Sequence, residues 1–190
     1  MLETLTGHFH CHITLAGGAG QLRGWKKTDI LLRGRQEQKD CMLTRHFVTE
    51  KRGLSNAQEI LKECVDAAAA LGSSGATVLR IKLEKEGVSS DVPLSDHNYG
   101  ELHMKIRCRS YDGIWMPEGA ALSENPLETG AGFKTYFINH RKRSGSMEEI
   151  WDLAEYWKSK VPVTYGFSVL ETKIEVAVYD NNPTLDSWWA

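Results

Sequence analysis

The stretch Gly75-Ala-Thr-Val-Leu-Arg-Ile-Lys-Leu-Glu84 recurs as Gly166-Phe-Ser-Val-Leu-Glu-Thr-Lys-Ile-Glu175, 91 residues further along the chain. Five of the ten positions are identical, and the shared residues are Gly, Val, Leu, Lys and Glu. The same offset carries His12 onto His103 in a separate part of the sequence. Two matches at one offset predict an internal duplication.

Each copy opens with a segment in which polar and apolar residues alternate. Residues 8–15 place apolar side chains on one face and polar ones on the other, and residues 101–108 do the same. Such a period of two is typical of a β-strand that is buried on one side. The repeated stretch adds a second strand of this kind to each copy. The polar faces carry His10, His12, Thr14, Lys82 and Glu84 in the first copy, and Glu101, His103, Lys105, Lys173 and Glu175 in the second.

A helix is predicted between the outer strands of each copy. Ser55 and Ser146 each begin an S-x-x-[E/Q] sequence, the pattern of a helical capping box, and apolar residues at helical spacing follow both. Further strands are predicted at residues 28–32, 42–49 and 133–140. Residues 16–20 and 113–132 are predicted to be loops that form mobile flaps.

These elements predict an α+β fold made of two copies of a strand-strand-helix-strand unit. We expect two antiparallel sheets, each backed by a helix in a ferredoxin-like lobe, related by a pseudo-twofold axis. Each copy is short for a core of its own, so residues 1–190 are predicted to form a single bilobal domain. Its parts are repeat 1 at 8–86, a linker at 87–98, repeat 2 at 99–177 and a C-terminal tail at 178–190.

The composition is that of an ordinary globular protein. The 190 residues are 41% hydrophobic and 25% charged, with a formal net charge of −2. This charge gives no strong signal for nucleic-acid binding. The four cysteines lack metal-ligand spacing, no segment is apolar enough to span a membrane, and the first residues lack a signal-peptide pattern. We therefore expect a cytoplasmic protein that does not interact with a membrane.

The two polar faces are the candidate functional site. Side chains two residues apart on a strand stand roughly 6.5 to 7 Å apart, so several of them can contact one ligand. If the two sheets face each other, these ionisable and hydroxyl groups line one cleft. The alternative is a solvated sheet face, on which Lys-x-Glu rows form ion pairs of little energetic value. The recurrence of His, Lys and Glu at equivalent positions favours a functional role.

The sequence His12-Ile-Thr14 resembles the His-x-Thr motif of the two-histidine phosphoesterases. These are bilobal α+β proteins, such as the cyclic phosphodiesterases and RNA-ligase-like proteins, in which two motifs face each other across a cleft. In the second copy, His103-Met-Lys105 has a lysine where the family has a hydroxyl residue. The resemblance implies that His12 and His103 are the acid and base for a phosphodiester. It also implies that Thr14 binds the phosphate, and Lys105 can do so as a point charge.

A divalent metal is a second candidate ligand of these faces. A set of two histidines and two glutamates resembles the sites of paired-module proteins such as the vicinal oxygen chelate family, and the set here is His12, Glu84, His103 and Glu175. Such ligands suit Zn, Mn, Ni or Fe. The adjacent lysines argue against a metal, because a neighbouring cation raises the cost of binding it.

Polyphosphate binding is a third hypothesis. The cations would be Lys82, Lys105, Arg107 and Lys173, and the carboxylates would hold Mg²⁺.

The sequence therefore predicts an enzyme or binding protein for a small phosphorylated or otherwise anionic molecule, with phosphodiester hydrolysis as the candidate activity. The candidate catalytic residues are His12 and His103. The candidate substrate-binding residues are Thr14, Lys82, Lys105, Lys173, His10 and Glu101. The candidate metal ligands are Glu84 and Glu175 with the two histidines. The sequence identifies no cofactor beyond this candidate divalent metal.

A non-catalytic protein-interaction module is the competing class. In that case the polar faces are solvated and the tail with Trp188 and Trp189 makes the contacts. Docking of the tail on the body of the protein is the simpler expectation. His46 and His97 are interpreted as isolated histidines, and the basic clusters at 33–35 and 140–143 as solvated loops.

Overall fold

The computed structural model describes residues 2–16, 21–33, 38–51, 53–88, 93–95, 98–109, 118–130, 132–160 and 167–185. A 3-10 turn at Leu2–Thr4 precedes the first strand. The strands are β1 (His8–Ala16), β2 (Lys26–Arg33), β3 (Gln38–Val48), β4 (Thr77–Glu86), β5 (Pro93–Leu94), β6 (Tyr99–Cys108), β7 (Ala120–Gly130), β8 (Phe133–Lys142), β9 (Gly145–Ser146) and β10 (Ser168–Asp180). The helices are α1 (Ala57–Ser73) and α2 (Met147–Lys160).

Eight of the strands in these ranges form one closed antiparallel barrel, in the order β1-β3-β2-β7-β8-β6-β10-β4. Backbone pairing of β4 with β10 and of β2 with β7 joins the two halves of the chain. The α+β class is confirmed, and the prediction of two separate sheets in ferredoxin-like lobes is corrected to one closed sheet. An open sheet leaves unpaired N–H and C=O groups at its edges, and closure pairs them.

The strand order is the same in the two halves of the barrel. Read in both directions away from the contact between β2 and β7, the first half runs β2-β3-β1-β4 and the second runs β7-β8-β6-β10. His12 on β1 lies opposite Lys82 on β4, and His103 on β6 lies opposite Lys173 on β10. The four strands that carry the predicted polar residues are consequently neighbours in the barrel, in the order β1-β4-β10-β6.

Both helices pack on the outside of the barrel. Helix α1 contacts β1 and β4, and α2 contacts β6 and β10. The outward strand faces and the inner helix faces form the apolar core, in which Phe9, Ile13 and Ile60 are fully buried. Because side chains alternate along a strand, the opposite faces point into the barrel and carry the polar residues. Neither helix of the described ranges is long and apolar enough to cross a membrane.

Close contact between α2 and the barrel depends on a glycine. A Cβ atom on Gly100 of β6 would lie 2.0 Å from Ile150 Cδ1 of α2, closer than two carbons can approach. Ile150 is fully buried, so it has little room to move. Glycine at this position therefore lets the helix cover the apolar face of β6.

The helix starts agree with the capping signals, with a shift of one residue for α1. Asn56, and not Ser55, is the N-cap, and its side chain accepts hydrogen bonds from two backbone N–H groups of the first turn. The Glu59 carboxylate accepts a hydrogen bond of 2.6 Å from Ser55 N, which completes a capping arrangement around Asn56. Helix α2 begins at Met147, directly after Ser146, as predicted.

The region at 113–132 contains a strand where the sequence predicted a loop. Strand β7 pairs with β2 and β8. Its register with β8 is interrupted after Asn125, next to Pro126. Proline has no N–H for the ladder and marks bulges or strand edges, so local signals in this strand indicate a loop.

Other predicted segments are partly beyond the described ranges. Residues 17–20, 113–117 and 131, which belong to the predicted flaps, lie outside them. Within the predicted linker, β5 pairs with β9 just before α2. Strand β10 continues to Asp180, three residues past the predicted end of repeat 2. The division into repeats, linker and tail stays a prediction.

Candidate functional site

The interior of the barrel is a cavity with a volume of about 370 Å³. Nine of the ten predicted site residues line it, namely His10, His12, Thr14, Lys82, Glu84, His103, Lys105, Lys173 and Glu175. The tenth, Glu101, is buried beside the cavity and accepts a hydrogen bond of 2.7 Å from Lys82. The two polar faces predicted from the sequence thus meet around one cavity.

Each candidate catalytic histidine lies at the centre of a row of three residues on neighbouring strands. The rows are Thr44, His12 and Lys82 on β3, β1 and β4, and Asn139, His103 and Lys173 on β8, β6 and β10. In each row the histidine Nδ1 contacts the side-chain oxygen of the first residue, at 2.9 Å in the first row and 2.8 Å in the second. The two imidazoles are therefore oriented in the same way by different chemical groups.

His103 has proton acceptors at both ring nitrogens. Asn139 donates through its amide nitrogen to Ser123 Oγ at 3.0 Å, so its Oδ1 faces His103 and can only accept. His103 Nε2 lies 3.4 Å from Glu101 Oε2 and 3.9 Å from Glu175 Oε2. Burial lowers the pKa of His103, but the hydrogen bond to Glu101 and the nearby carboxylates raise it to about 9. The ring is an imidazolium at neutral pH.

His12 has a more adaptable pair of partners. Its Nε2 lies 2.7 Å from Glu84 Oε2, a carboxylate that is 1% exposed. Its Nδ1 lies 2.9 Å from Thr44 Oγ1, and a hydroxyl group can either donate or accept a hydrogen bond. Rotation of the Thr44 hydroxyl lets the site accommodate both the neutral and the protonated ring. His12 can therefore change its protonation state without losing a partner.

His10 lies within a cluster of charged groups. Its Nε2 is 2.9 Å from Glu86 Oε1, and Lys173 Nζ is 2.7 Å from its Nδ1. His10 Nδ1 also lies 3.0 Å from Glu175 Oε1, so this nitrogen faces both an ammonium group and a carboxylate. Lys173 also contacts Glu86 at 2.6 Å and Glu175 at 3.0 Å. Burial lowers the pKa of Lys173, but these two carboxylates raise it above its usual value.

A chain of buried ion pairs begins at Lys82 in the cavity wall and continues to Glu101 and Arg141 beside the cavity. Lys82 Nζ lies 2.5 Å from Glu84 Oε1 and 2.7 Å from Glu101 Oε2. Arg141 donates to Glu101 Oε1 from both Nε and Nη2, at 2.9 and 2.7 Å. Burial raises the pKa of Glu101, but the charges of Lys82 and Arg141 hold it well below its usual range. Glu101 is a carboxylate shared by two cations.

Within the described part of the chain, three groups of side chains have the spacing of a metal site, with ligand atoms within 4.8 Å of one another. They are His10, His12 and Glu84; His10, Glu86 and Glu175; and Glu84, His103 and Glu175. The four predicted metal ligands do not form one group: His12 and Glu84 are in the first, and Glu84, His103 and Glu175 are in the third. In the second group, the Lys173 ammonium contacts all three members and occupies the place of a cation. The Lys82 ammonium lies against Glu84 in the other two groups.

The remaining candidates have mixed positions. Thr14 is buried in the cavity wall, and Lys105 lines the cavity with its Nζ 6.0 Å from the Phe137 ring centroid. Arg107 is exposed and does not line the cavity, which removes it from the predicted polyphosphate set. Lys105 and Arg107 lie on the same face of β6. Their position along the strand therefore decides which of the two side chains reaches the cavity.

Several residues of the site were missed by the sequence prediction. His46, interpreted as an isolated histidine, lines the cavity with its ring centroid 3.9 Å from that of His10. Burial lowers the pKa of His46, as do the neighbouring His10 and Lys173. Arg141, assigned to a solvated loop, is a buried residue of β8. Asn139 and Arg141 are two residues apart on β8 and therefore share one face of the strand. This spacing is the sequence signal that could have placed both at the site.

A second buried network was also missed. Arg80 Nε donates to Asp180 Oδ1 at 2.9 Å, and Arg80 Nη2 donates to the Tyr99 hydroxyl at 2.8 Å. The Tyr99 hydroxyl in turn donates to Asp180. These contacts link β4, β6 and β10 and stabilise their packing. The Arg80 side chain also lines the cavity.

The start of the C-terminal tail docks on the barrel, in agreement with the simpler expectation. Asn181 Oδ1 accepts from Ile81 N at 2.7 Å, and Asn182 Nδ2 donates to the carbonyl oxygen of Leu79 at 2.9 Å. Leu185 lines the cavity. Trp188 and Trp189, on which the interaction-module hypothesis depends, lie outside the described residues, as do His97 and the Arg35 end of the first basic cluster.

The chain matches no protein-family model and no curated protein sequence. The function is consequently inferred from the geometry of the site.

Proposed function

We propose that this protein is an enzyme or binding protein for a small phosphorylated or otherwise anionic molecule that binds inside the barrel. His12 and His103 are the acid/base pair. The observation that carries the proposal is the difference between their orienting partners. Asn139 only accepts, so His103 carries a hydrogen at Nδ1, and the carboxylates near its Nε2 favour the imidazolium; the Thr44 hydroxyl can either donate to His12 Nδ1 or accept from it. One histidine holds a proton and the other can take one.

This pair suits phosphodiester cleavage. His12 takes the proton of an attacking hydroxyl group or water as the new P–O bond forms. His103 gives its proton to the leaving oxygen as the old P–O bond breaks. Thr14 and Lys105, in the cavity wall, are the candidate contacts for the non-bridging phosphate oxygens. The resemblance of His12-Ile-Thr14 to the two-histidine phosphoesterases supports this class of substrate.

The charge of the cavity wall supports an anionic ligand. Five lysine and arginine side chains and three glutamates line the cavity within the described ranges. With the imidazolium of His103, the lining carries three more positive than negative charges, and Glu101, Asp180 and Glu86 behind it pair with Lys82, Arg80 and Lys173. A volume of about 370 Å³ fits a small molecule and is at the lower end of the range for ligand pockets.

The same geometry supports an origin of the barrel by internal duplication. The two halves have the same strand order. The two histidine rows are equivalent in strand, in register and in the contact at Nδ1. A duplicated unit places two copies of one histidine around a shared cavity, which is the arrangement that an acid/base pair requires.

The test is a panel of chromogenic phosphodiesters and nucleotides, followed by the variants His12→Gln and His103→Gln. Loss of one acid/base group lowers kcat by about 10²- to 10⁴-fold. His8→Gln is the matched control, because His8 is exposed at the start of the same strand. A ligand at 100 times its Kd also raises the free energy of unfolding by about 2.7 kcal/mol.

Two results would contradict the proposal. One is a panel in which no anion is turned over or raises Tm. The other is a His12→Gln/His103→Gln double variant that keeps the activity and ligand binding of the unmodified protein.

A further inference from the structure

Two arginines converge on a single carbonyl oxygen of the C-terminal tail. Arg141 Nη1 donates to the Pro183 carbonyl oxygen at 3.2 Å, and Arg143 Nη2 donates to the same atom at 2.9 Å. Both guanidinium groups also stack on the ring of Tyr99, with Cζ atoms 4.5 and 5.2 Å from its centroid. The two guanidinium groups therefore share one buried aromatic ring and one acceptor atom.

A neutral carbonyl is a weak partner for this arrangement. The carbonyl oxygen carries only a partial charge, so it neutralises neither guanidinium, whereas an anion adds the attraction between opposite charges and can bind in a bidentate manner. Arg141 shares Glu101 with Lys82, and Arg143 has no carboxylate partner in the described part of the chain. Two like charges at this spacing repel each other, and an anion between them relieves the repulsion. The two guanidinium groups are arranged as in an anion site, but the atom that they bind is the carbonyl oxygen of Pro183.

We propose that Arg141 and Arg143 form a second anion site, specific for a phosphate or carboxylate group, and that the Pro183 carbonyl occupies the position of the anion's oxygen in the free protein. An anion that binds there displaces the tail. The site is distinct from the cavity and does not depend on the proposed chemistry of His12 and His103.

Displacement of the tail has a direct consequence for the cavity. Leu185, two residues after Pro183, is part of the cavity wall. Its N–H donates to the Asn182 carbonyl oxygen at 3.1 Å, so Pro183 and Leu185 belong to the same turn. An anion at the arginine pair therefore moves one wall of the cavity and widens access to it.

The experiment combines calorimetric titration with hydrogen exchange on the full-length chain at constant ionic strength. Inorganic phosphate and succinate are the two probes, one for each anion chemistry. Arg143→Gln removes one guanidinium, and Lys142→Gln is the matched control. Lys142 carries the same charge one residue away and pairs with Glu149 of α2 at 2.7 Å. Hydrogen exchange follows the amide of Leu185.

The expected result is that phosphate, succinate or both bind and speed exchange at Leu185. Arg143→Gln weakens this binding by about tenfold or more, the range for a lost charge-assisted hydrogen bond. Lys142→Gln changes it less than about twofold. The probe that responds identifies the anion chemistry. In His103→Gln the Leu185 response persists, which separates this site from the cavity.

Three results would overturn the inference. Equal weakening by Arg143→Gln and Lys142→Gln would indicate a general charge effect. Binding that leaves exchange at Leu185 unchanged would show that the tail carbonyl is not displaced. Loss of the Leu185 response in His103→Gln would place the anion in the cavity.

Discussion

His103 Nε2 lies 3.4 Å from the carboxylate of Glu101, two residues earlier on the same strand and facing the same side of the barrel. The same carboxylate is bound by Lys82 and Arg141, so it stays ionised and keeps its effect on the histidine. This contact, with the acceptor Asn139 at the other ring nitrogen, defines the charge state of the candidate acid.

The stability of the fold should depend on pH through His103. Its pKa in the folded protein is about 9, against 6.5 for an ordinary histidine. Because the folded protein binds this proton more tightly, the stabilisation is fully present below pH 6.5 and is lost as the pH rises through 9. The difference corresponds to about 3 kcal/mol. Urea unfolding between pH 6 and 10, compared with His103→Gln, measures it. A constant difference between the two proteins across this range would contradict the prediction.

The orienting role of Thr44 can be tested with a change that preserves shape. Thr44→Val removes the hydroxyl that contacts His12 Nδ1, and we expect a loss of activity or ligand binding of about tenfold, equivalent to one hydrogen bond. Thr172→Val is the matched control, since the buried Thr172 hydroxyl makes no hydrogen bond in the described part of the protein. Kinetic titration and circular dichroism separate activity from folding. Equal effects of the two variants would show that the Thr44 contact does not orient His12.

The carboxylate of Glu101 should be essential for stability. Glu101→Gln leaves the buried Lys82 and Arg141 without their shared anion, which costs about 3 to 5 kcal/mol. Glu155→Gln breaks an exposed pair with Lys158 and should cost less than about 1 kcal/mol. Urea unfolding compares the two. A small cost for Glu101→Gln would mean that water screens the interior of the barrel.

Divalent metals should stabilise the protein only when a lysine is removed. The Lys173 ammonium occupies the place of a cation among His10, Glu86 and Glu175, so Zn²⁺ or Mn²⁺ should leave Tm unchanged relative to a chelator. Lys173→Met opens the three ligands, and a metal at 100 times its Kd should then add about 2.7 kcal/mol. Lys62→Met, on the exposed side of α1, is the control. Metal-dependent stabilisation of the unmodified protein would restore the metal hypothesis.

Local signals were sufficient for the parts of the fold that depend on neighbouring residues. The alternation in residues 8–15 and 101–108 predicts strands with one polar face, and both segments are such strands. The capping patterns at Ser55 and Ser146 predict helix starts to within one residue. Side-chain direction in a strand follows from parity alone, so nine of ten candidate residues line one cavity.

Residues whose environment depends on distant partners were not predictable in this way. Arg141 lies in a basic run that looks solvated, and its burial follows from a contact with Glu101, 40 residues away. His46 has an ordinary local setting, and its place in the cavity follows from the pairing of β3 with β1. Pro126 within β7 is a local signal for a loop, and that segment is a strand because it pairs with β2 and β8.

The sequence by itself determined which side chains share a face, because a strand turns its residues to alternate sides whatever it pairs with. Only the tertiary structure decided that the faces enclose a cavity. Closure depends on backbone hydrogen bonds between β4 and β10 and between β2 and β7. Such bonds join main-chain groups that are the same in nearly every residue, so no local side-chain pattern identifies the distant partner strand. The same closure forces lysines, glutamates and histidines into mutual contact, and those contacts determine which histidine holds its proton.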